Sequence, residues 1–338
     1  MNLRQLAAHL QLSPTTVSRA LNGFPEVNAE TRERVVEAAR QLGYRANTVA
    51  RRLATGKTDS IGIIYPFEPS DLGDPVFLDI IAGITERLGE ASMDLMIVSA
   101  AQEHELDTYK RMVSAGRVDG LIVARTQVQD PRLEYLQEKG FPFVAHGRSA
   151  LADPYPWFDY DNEYGMRLAV ERLTTLGHQR IGLVSAPLSM NFAAQRRMGY
   201  LLGLNAAGVA VDPDYMVHGG LTPVDGAAAT RKLLALPQRP TALVVDNNVS
   251  ALGVISALRQ AGLLPGHDIS IIVFGGLPAL LPDSATVSAI MQPQARQAGR
   301  TLAELMLARL AGEPTPSLNR LWKPELVPGG TDLPPPRT

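Results

Sequence analysis

The 338-residue chain contains no cysteine. That excludes a disulfide framework, a thiol nucleophile and any Cys-ligated zinc or iron–sulfur centre, and it suits a reducing compartment. The first residues carry no apolar signal segment and no stretch is long and apolar enough for a membrane span, so the expected location is the cytoplasm, with no membrane partner. No glycine fingerprint or phosphate loop follows a strand-like run, and the six histidines (His9, His104, His146, His178, His218 and His267) form no two-His helix motif. His178 reads as structural and the others as surface or turn. No catalytic residue, metal or cofactor is expected. The chain also lacks a short-period repeat and a terminal heptad array that would build a tetramer.

Composition, 45% hydrophobic and 20% charged, suits two or three globular domains. The net charge of −2 hides an asymmetry. Residues 1–58 hold nine Lys and Arg against four Glu, a net +5, and the remainder carries −7. A basic module on an acidic body is the electrostatic footprint of a nucleic-acid binder with a separate sensor.

Three short helices fit the basic module. The first places Leu3, Leu6, Ala7 and Leu10 on one face, with Asn2 and Gln5 at capping-box spacing. The second starts at Ser13 as N-cap with Pro14 at the first helical position, and buries Val17 and Leu21. It turns Pro14, Thr15, Ser18 and Arg19 outward, groups that can meet base edges and phosphates in a major groove. The third starts at Asn28, buries Val35, Ala39 and Leu42, and stops at Gly43. Gln11-Leu12 leaves room only for a tight helix-turn-helix. The following segment, Asn47–Ala54, is too short to be a stable helix alone and should coil only when docked.

From Ile61 the pattern changes. Apolar runs of strand length at Ile61–Tyr65, Leu95–Val98, Gly120–Ala124, Phe141–Ala145, Ile181–Ser185, Ala242–Val245 and Ile269–Phe274 alternate with helical stretches. Such runs indicate buried parallel sheets, and their number calls for two α/β subdomains with a crevice at the strands' carboxyl ends. The tail from Gly329, rich in Gly and Pro, reads as irregular and mobile.

Several strings taken together resemble the LacI/GalR family of bacterial transcription regulators. They are Leu-Ser-Pro-Thr-Thr-Val-Ser-Arg-Ala-Leu-Asn-Gly (12–23), Val-Asn-Ala-Glu-Thr-Arg-Glu-Arg-Val (27–35), Leu-Gly-Tyr-Arg-Ala-Asn (42–47), Ala-Arg-Arg-Leu (50–53), Asp161-Asn162, Leu-Gly-His-Gln-Arg-Ile-Gly (176–182), Ala-Leu-Gly (251–253) and Asp-Ile-Ser-Ile-Ile (268–272). The resemblance implies an N-terminal all-α helix-turn-helix head plus an α/β core like a periplasmic binding protein, of two parallel-sheet subdomains. The expected divisions are a head over 1–46, a hinge helix and linker over 47–58, a core over 59–328 and a tail over 329–338. Within the core, one subdomain takes about 59–160 and 291–322, and the other about 161–290. It further implies a homodimer whose heads read a near-palindromic double-stranded operator.

On that resemblance, Ser13, Pro14, Thr15, Thr16, Ser18, Arg19 and Asn22 form or border the base-reading surface. Asn28 is an N-cap whose helix can offer N–H groups to a phosphate. Asn47, Ala50 and Arg51 line the minor groove, and Leu53 is the wedge that unstacks a central base step. For the effector crevice it implies Phe77, Phe192, Arg196 and Asn247, and Asp74, Arg125, His146, Arg148 and Gly275 are further candidates for the same crevice in this chain. Arg196 is the fork for sugar hydroxyls, and Phe77 and Phe192 are apolar faces for a pyranose.

The chain departs from the family in three places. Gly275-Gly276 stand where an Asp-Asp pair is usual, Gly147 replaces an aspartate, and Asn248 stands where an aspartate is common. Arg125, His146 and Arg148 near the mouth then make a less acidic pocket, open to larger sugars or anionic ligands. The string Phe-Pro-Phe-Val-Ala-His-Gly-Arg (141–148), with Asn191-Phe192-Ala193, is similar to a proteobacterial subgroup that regulates α-glucoside use, which makes a disaccharide of that class the expected effector. Whether ligand releases or strengthens operator binding stays open at this level, as does a non-sugar metabolite. An enzyme or a plain sugar-binding protein is the remaining alternative. The first would turn over substrate with the core alone, and the second would not carry the head.

Overall fold

The computed structural model describes residues 1–44, 56–65, 75–277 and 286–336. It divides into two compact units, one built on residues 1–59 with 116–119, the other on the remainder.

In the first unit, helices α1 (Leu3–Leu10), α2 (Pro14–Leu21) and α3 (Ala29–Gln41) close on a small core of Leu6, Ala7, Leu10, Val17, Ala20, Val27, Val35 and Ala39. Their ends are set chemically. The Asn2 and Gln5 side chains exchange bonds with each other's backbone N–H as a capping box. Ser13 Oγ accepts the Thr16 N–H at 3.0 Å, and Asn28 Oδ1 accepts that of Thr31 at 2.8 Å. The turns are tied by arginines, Arg34 donating to the Leu10 carbonyl and Arg32 to those of Phe24 and Val27. Ala20 rather than Leu21 is the second fully buried residue of α2, and Leu21 packs at the margin.

The second unit contains two six-stranded sheets. Strands β1 (Ser60–Tyr65), β2 (Asp94–Ser99), β3 (Gly120–Val123), β4 (Phe143–His146), β5 (Trp157–Tyr160) and β11 (Asn319–Trp322) pair throughout in parallel, in the order β11-β5-β4-β3-β1-β2. Strands β6 (Ile181–Ser185), β7 (Met216–His218), β8 (Ala242–Val245), β9 (Ser270–Phe274), β10 (Ser288–Met291) and β12 (Glu325–Val327) follow the order β12-β10-β9-β8-β6-β7, with only β12 antiparallel. The central strands are apolar on both faces because helices cover both sides. Strands β5, β7, β10, β11 and β12 lie outside the apolar runs read from sequence. They are three or four residues long, too short for a periodic signal.

Helices α4 (Pro75–Glu90), α5 (Glu105–Ser114), α6 (Pro131–Glu138), α7 (Asn162–Thr175), α8 (Asn191–Ala206), α9 (Pro223–Leu234), α10 (Asn248–Gln260) and α11 (Ala295–Leu310) complete the unit. The contact between α4 and α11 is backbone to backbone. A Cβ on Gly83 would lie 1.9 Å from the Arg296 carbonyl oxygen, and one on Gly299 would lie 2.1 Å from that of Ile80. Only glycine fits at this crossing. Among the described residues, no helix is long and apolar enough to cross a membrane.

The tail corrects an expectation. It is irregular, as read, but its described residues, 329–336, are docked on the second sheet where a mobile segment was expected. Thr331 Oγ1 donates to the Ile271 carbonyl, Asp332 pairs with Arg172 at 2.6 Å and with Ser288 Oγ, and the Leu333 carbonyl accepts Ser270 Oγ–H at 2.6 Å. His178, fully buried, bridges the Leu333 carbonyl and Thr241 Oγ1 at 2.8 Å each. Backbone bonds from the Ile271 N–H to the Thr331 carbonyl at 2.7 Å and from the Gly330 N–H to the Thr286 carbonyl at 2.6 Å join these side-chain bonds in satisfying the tail's polar groups without a strand ladder.

Candidate functional site

Two surfaces carry the candidate residues. On α2, Pro14, Thr15 and Arg19 are exposed. Thr16 and Ser18 are half-buried and already bonded, Thr16 Oγ1 to Ser13 Oγ at 2.8 Å and Ser18 Oγ to the Asn22 amide at 3.4 Å. The open face of α2 is therefore narrower than the sequence suggested, a Pro-Thr-x-x-x-Arg edge. Asn28 is an N-cap in geometry. Asn47, Ala50, Arg51 and Leu53 lie outside the described residues, as does Asp74.

The second surface is a cavity of about 230 Å³ in the second unit, between the two sheets' carboxyl ends. One wall is apolar: Ile80, Ile81 and Ile84 from α4, Ile63 and Ile122 from β1 and β3, and Leu302 from α11. A second part of the lining is a polar wall, formed by Arg196, Asn162, Asp159, Asn247 and Asn248. Tyr65, Phe77 and Phe192 add aromatic faces.

Arg196 dominates the polar wall. The second turn of α8 carries it inward, where its guanidinium stacks on Phe274, 3.5 Å from the ring centre, with Phe192 at 4.7 Å. Its Nε donates to Asn162 Oδ1 at 2.8 Å and its Nη1 to the Asp246 carbonyl. Burial presses its pKa down to about 10, so it remains a cation at neutral pH. Behind it Asp246 is fully buried, accepting the Ala186 N–H and the Asn247 amide, and burial raises its pKa. Asn162 also donates to Asp159, the Tyr160 carbonyl and Gln195, so a continuous chain of hydrogen bonds holds the fork in one orientation.

Of the residues singled out in the sequence, Phe77, Arg125, His146, Phe192, Arg196 and Asn247 meet at this cavity. Arg125 lies over the Tyr65 ring at 4.4 Å. His146 packs on Phe158, and burial drops its pKa to about 4, so a neutral imidazole faces the cavity. Asn247 doubles as the N-cap of α10, its oxygen taken by the Ser250 N–H at 2.8 Å.

Two expectations are corrected. Arg148 does not line the cavity. Its Nε is drawn 2.8 Å from Asp159 Oδ2, because a nearly buried carboxylate needs a cation. Gly275 is not on the wall either. It turns the chain after β9 at φ +86° beside Asn248, whose side chain is on the wall. Nor is the cavity as poor in acid as its lost aspartates suggested, since β5 supplies Asp159, whose pKa burial raises. Asp159, Asn162 and Tyr65 are among the wall residues that sequence reasoning missed, and Asn248 was noted only as a lost aspartate. A lone acid inside the aromatic string Trp157-Phe158-Asp159-Tyr160 was the signal for the first.

Comparison with known proteins identifies the family of both parts of the chain. Residues 3–47 match the family described as bacterial regulatory proteins, lacI family, and residues 58–318 match periplasmic binding proteins and sugar binding domain of LacI family. The chain is 38% identical to the HTH-type transcriptional regulator RafR of Escherichia coli, covering 98% of each chain. It is 39% identical to the HTH-type transcriptional regulator AglR of Rhizobium meliloti, covering 97% of this chain and 93% of that one. Among solved structures, the lac repressor dimer bound to operator and the anti-inducer ONPF superposes with a TM-score of 0.78 at 27% identity, covering 98% of this chain and 99% of that one.

Proposed function

The chain belongs to the LacI family of bacterial regulatory proteins, and from that premise we propose that it represses a sugar-utilisation operon and that a small carbohydrate releases it. It acts in the cytoplasm as a homodimer, with α2 of each head in the major groove of a near-palindromic operator and no catalytic step. Pro14, Thr15 and Arg19 read bases, and the Asn47–Ala54 segment with Leu53 wedges the minor groove between the half-sites. Sugar closes the cavity, the hinge segments part, and operator affinity falls by the roughly five- to 150-fold typical of such coupling.

One observation carries the effector class. Arg196, lying over the Phe274 ring with Phe192 near and braced by Asn162, presents a planar fork beside aromatic faces in a cavity that is also lined by isoleucines. A pyranose has the same duality, hydroxyls at its rim and C–H groups on its faces. A phosphorylated ligand fits less well, because the Asp159 carboxyl stands on the polar wall. We assign the effector to α-glucoside disaccharides.

The test begins by selecting an operator from a randomised duplex pool with the full-length protein. Trehalose, sucrose and maltose are then screened by thermal shift and added to the operator complex. Enrichment of a near-palindrome and its release by one of these sugars are expected. Failure to enrich any sequence, or tighter binding in the presence of the sugar, would overturn the proposal.

A further inference from the structure

Behind the cavity lies an ion cluster that the function above does not use. Arg132, at the start of α6, is 3% exposed, Asp130 0% and Glu105 6%. The guanidinium forks onto Asp130, Nε to Oδ1 at 2.9 Å and Nη2 to Oδ2 at 2.7 Å, while Nη1 reaches Glu105 Oε1 at 2.5 Å. The Tyr109 ring lies 5.8 Å from its centre. Burying three charges is a poor way to stabilise a domain, since apolar residues of equal volume often do as well or better. The cluster's geometry suggests a different use.

Arg132 Nη2 also donates to the Arg125 carbonyl at 3.0 Å, and Asp130 Oδ2 accepts the Gln127 N–H at 3.0 Å. Both bonds end on the loop after β3. Arg125 there holds a left-handed φ of +52°, costly for a residue with a side chain, and persists in it because its surroundings fix it. The same loop reaches across the crevice. The Asn191 N–H bonds to the Thr126 carbonyl and the Val128 N–H to the Ser189 carbonyl, both at 2.9 Å, and Gln127 and Met190 form an antiparallel bridge. Ser189–Asn191 leads directly into α8, which carries Phe192 and Arg196. One loop thus forms part of the Arg125 wall and links to the segment that carries the Arg196 wall.

We propose that Arg132 is a positioning residue for the effector cavity. Its fork on Asp130 holds Arg125–Val128 in the strained conformation that aims Arg125 over Tyr65 and keeps the loop hooked to Ser189–Asn191. Glu105, on α5, takes Nη1 of the same guanidinium, the nitrogen that faces neither Asp130 nor the Arg125 carbonyl. The link to effector affinity rests on the function proposed above; the link to loop order does not.

Two measurements on the full-length protein test this. In amide exchange without ligand, Arg132→Lys, which keeps the charge and loses the fork, should speed exchange of 125–128 and 189–191 about tenfold and leave β8 and β9 unchanged. Asp130→Asn should do the same and serves if Arg132→Lys does not fold. Glu105→Gln should leave both segments as protected as in the wild type. Uniform acceleration across the core, no acceleration, or equal loss in Glu105→Gln would overturn the proposal. In the second measurement, maltose affinity should fall about tenfold in Arg132→Lys but less than about twofold when the change is made on Arg125→Ala, with operator affinity constant throughout. An equal loss in both backgrounds would show that Arg132 does not act through Arg125. If maltose binds no variant, the wild type included, maltose is ruled out as the effector, and the exchange result still decides the role of Arg132.

Discussion

The helical head and the effector cavity are specified in opposite ways. The helix caps of the head are decided within a few residues: Ser13 caps onto Thr16, Asn28 onto Thr31, and Asn2 and Gln5 onto each other. The cavity is gathered from β1, α4, the loop after β3, the end of β4, β5, α8 and the turn after β8. Its central group, Arg196, is oriented by Asn162 and Asp246, both distant in sequence. A locally written surface can change one residue at a time, whereas a gathered one responds to changes in its supports.

If that contrast holds, substitutions should separate the two regions. The largest effect is expected from Arg196→Ala, which should weaken sugar binding roughly a hundredfold by removing a charged hydrogen-bonding group. Isothermal calorimetry should show the loss while operator affinity in the absence of sugar stays constant; a parallel loss of operator binding would erase the separation.

His146 comes next, through pH. Its folded-state pKa of about 4 lies below the ordinary 6.5, so the unfolded chain binds a proton that the folded chain refuses. Stability is therefore complete above about pH 6.5 and falls as pH drops towards 4, by up to roughly 3 kcal/mol. The buried carboxylates Asp159 and Asp246, with raised pKa values, act in the opposite direction. The informative quantity is the difference between wild type and His146→Asn in denaturant midpoints from about pH 4.5 to 7.5, where the substitution should shrink the acid loss. Identical pH profiles would place the imidazole in water.

Asp332→Ala should cost the core about 2 kcal/mol through lost charged hydrogen bonds to Arg172 and Ser288, seen as a lower core melting temperature with unchanged exchange protection in α1–α3. The smallest effect belongs to Ser13→Ala, about 1 kcal/mol confined to the head. Faster amide exchange in α2 with an unmoved core transition is the expected result, and a shift in the core would break the comparison from the other side.

The same contrast explains what could be read in advance. Caps, helix faces and long apolar strands declare themselves because their physics is local, so the head and the central strands were legible. Strand β11 was not, because its four residues become a strand only by pairing with β5, far back along the chain. Arg148 was misplaced for a related reason: nothing near it in sequence announces that Asp159 will face it in the fold. The docked tail was missed because its anchors, Ser270 and Ser288 on the second sheet and His178 in the loop before β6, are polar side chains far apart in sequence, and no periodicity marks them.

The glycine crossing of α4 and α11 bears on how such a protein could acquire a new ligand. Ile80, Ile81 and Ile84 face the cavity from the same turns of α4 that Gly83 seats against Arg296. A methyl group added at Gly83 or Gly299 would push that isoleucine panel bodily inward or aside while every panel residue kept its identity. The bore of the chamber is thus set partly by the side chains missing on its far side. Retargeting by substitution of lining residues alone would leave that setting untouched.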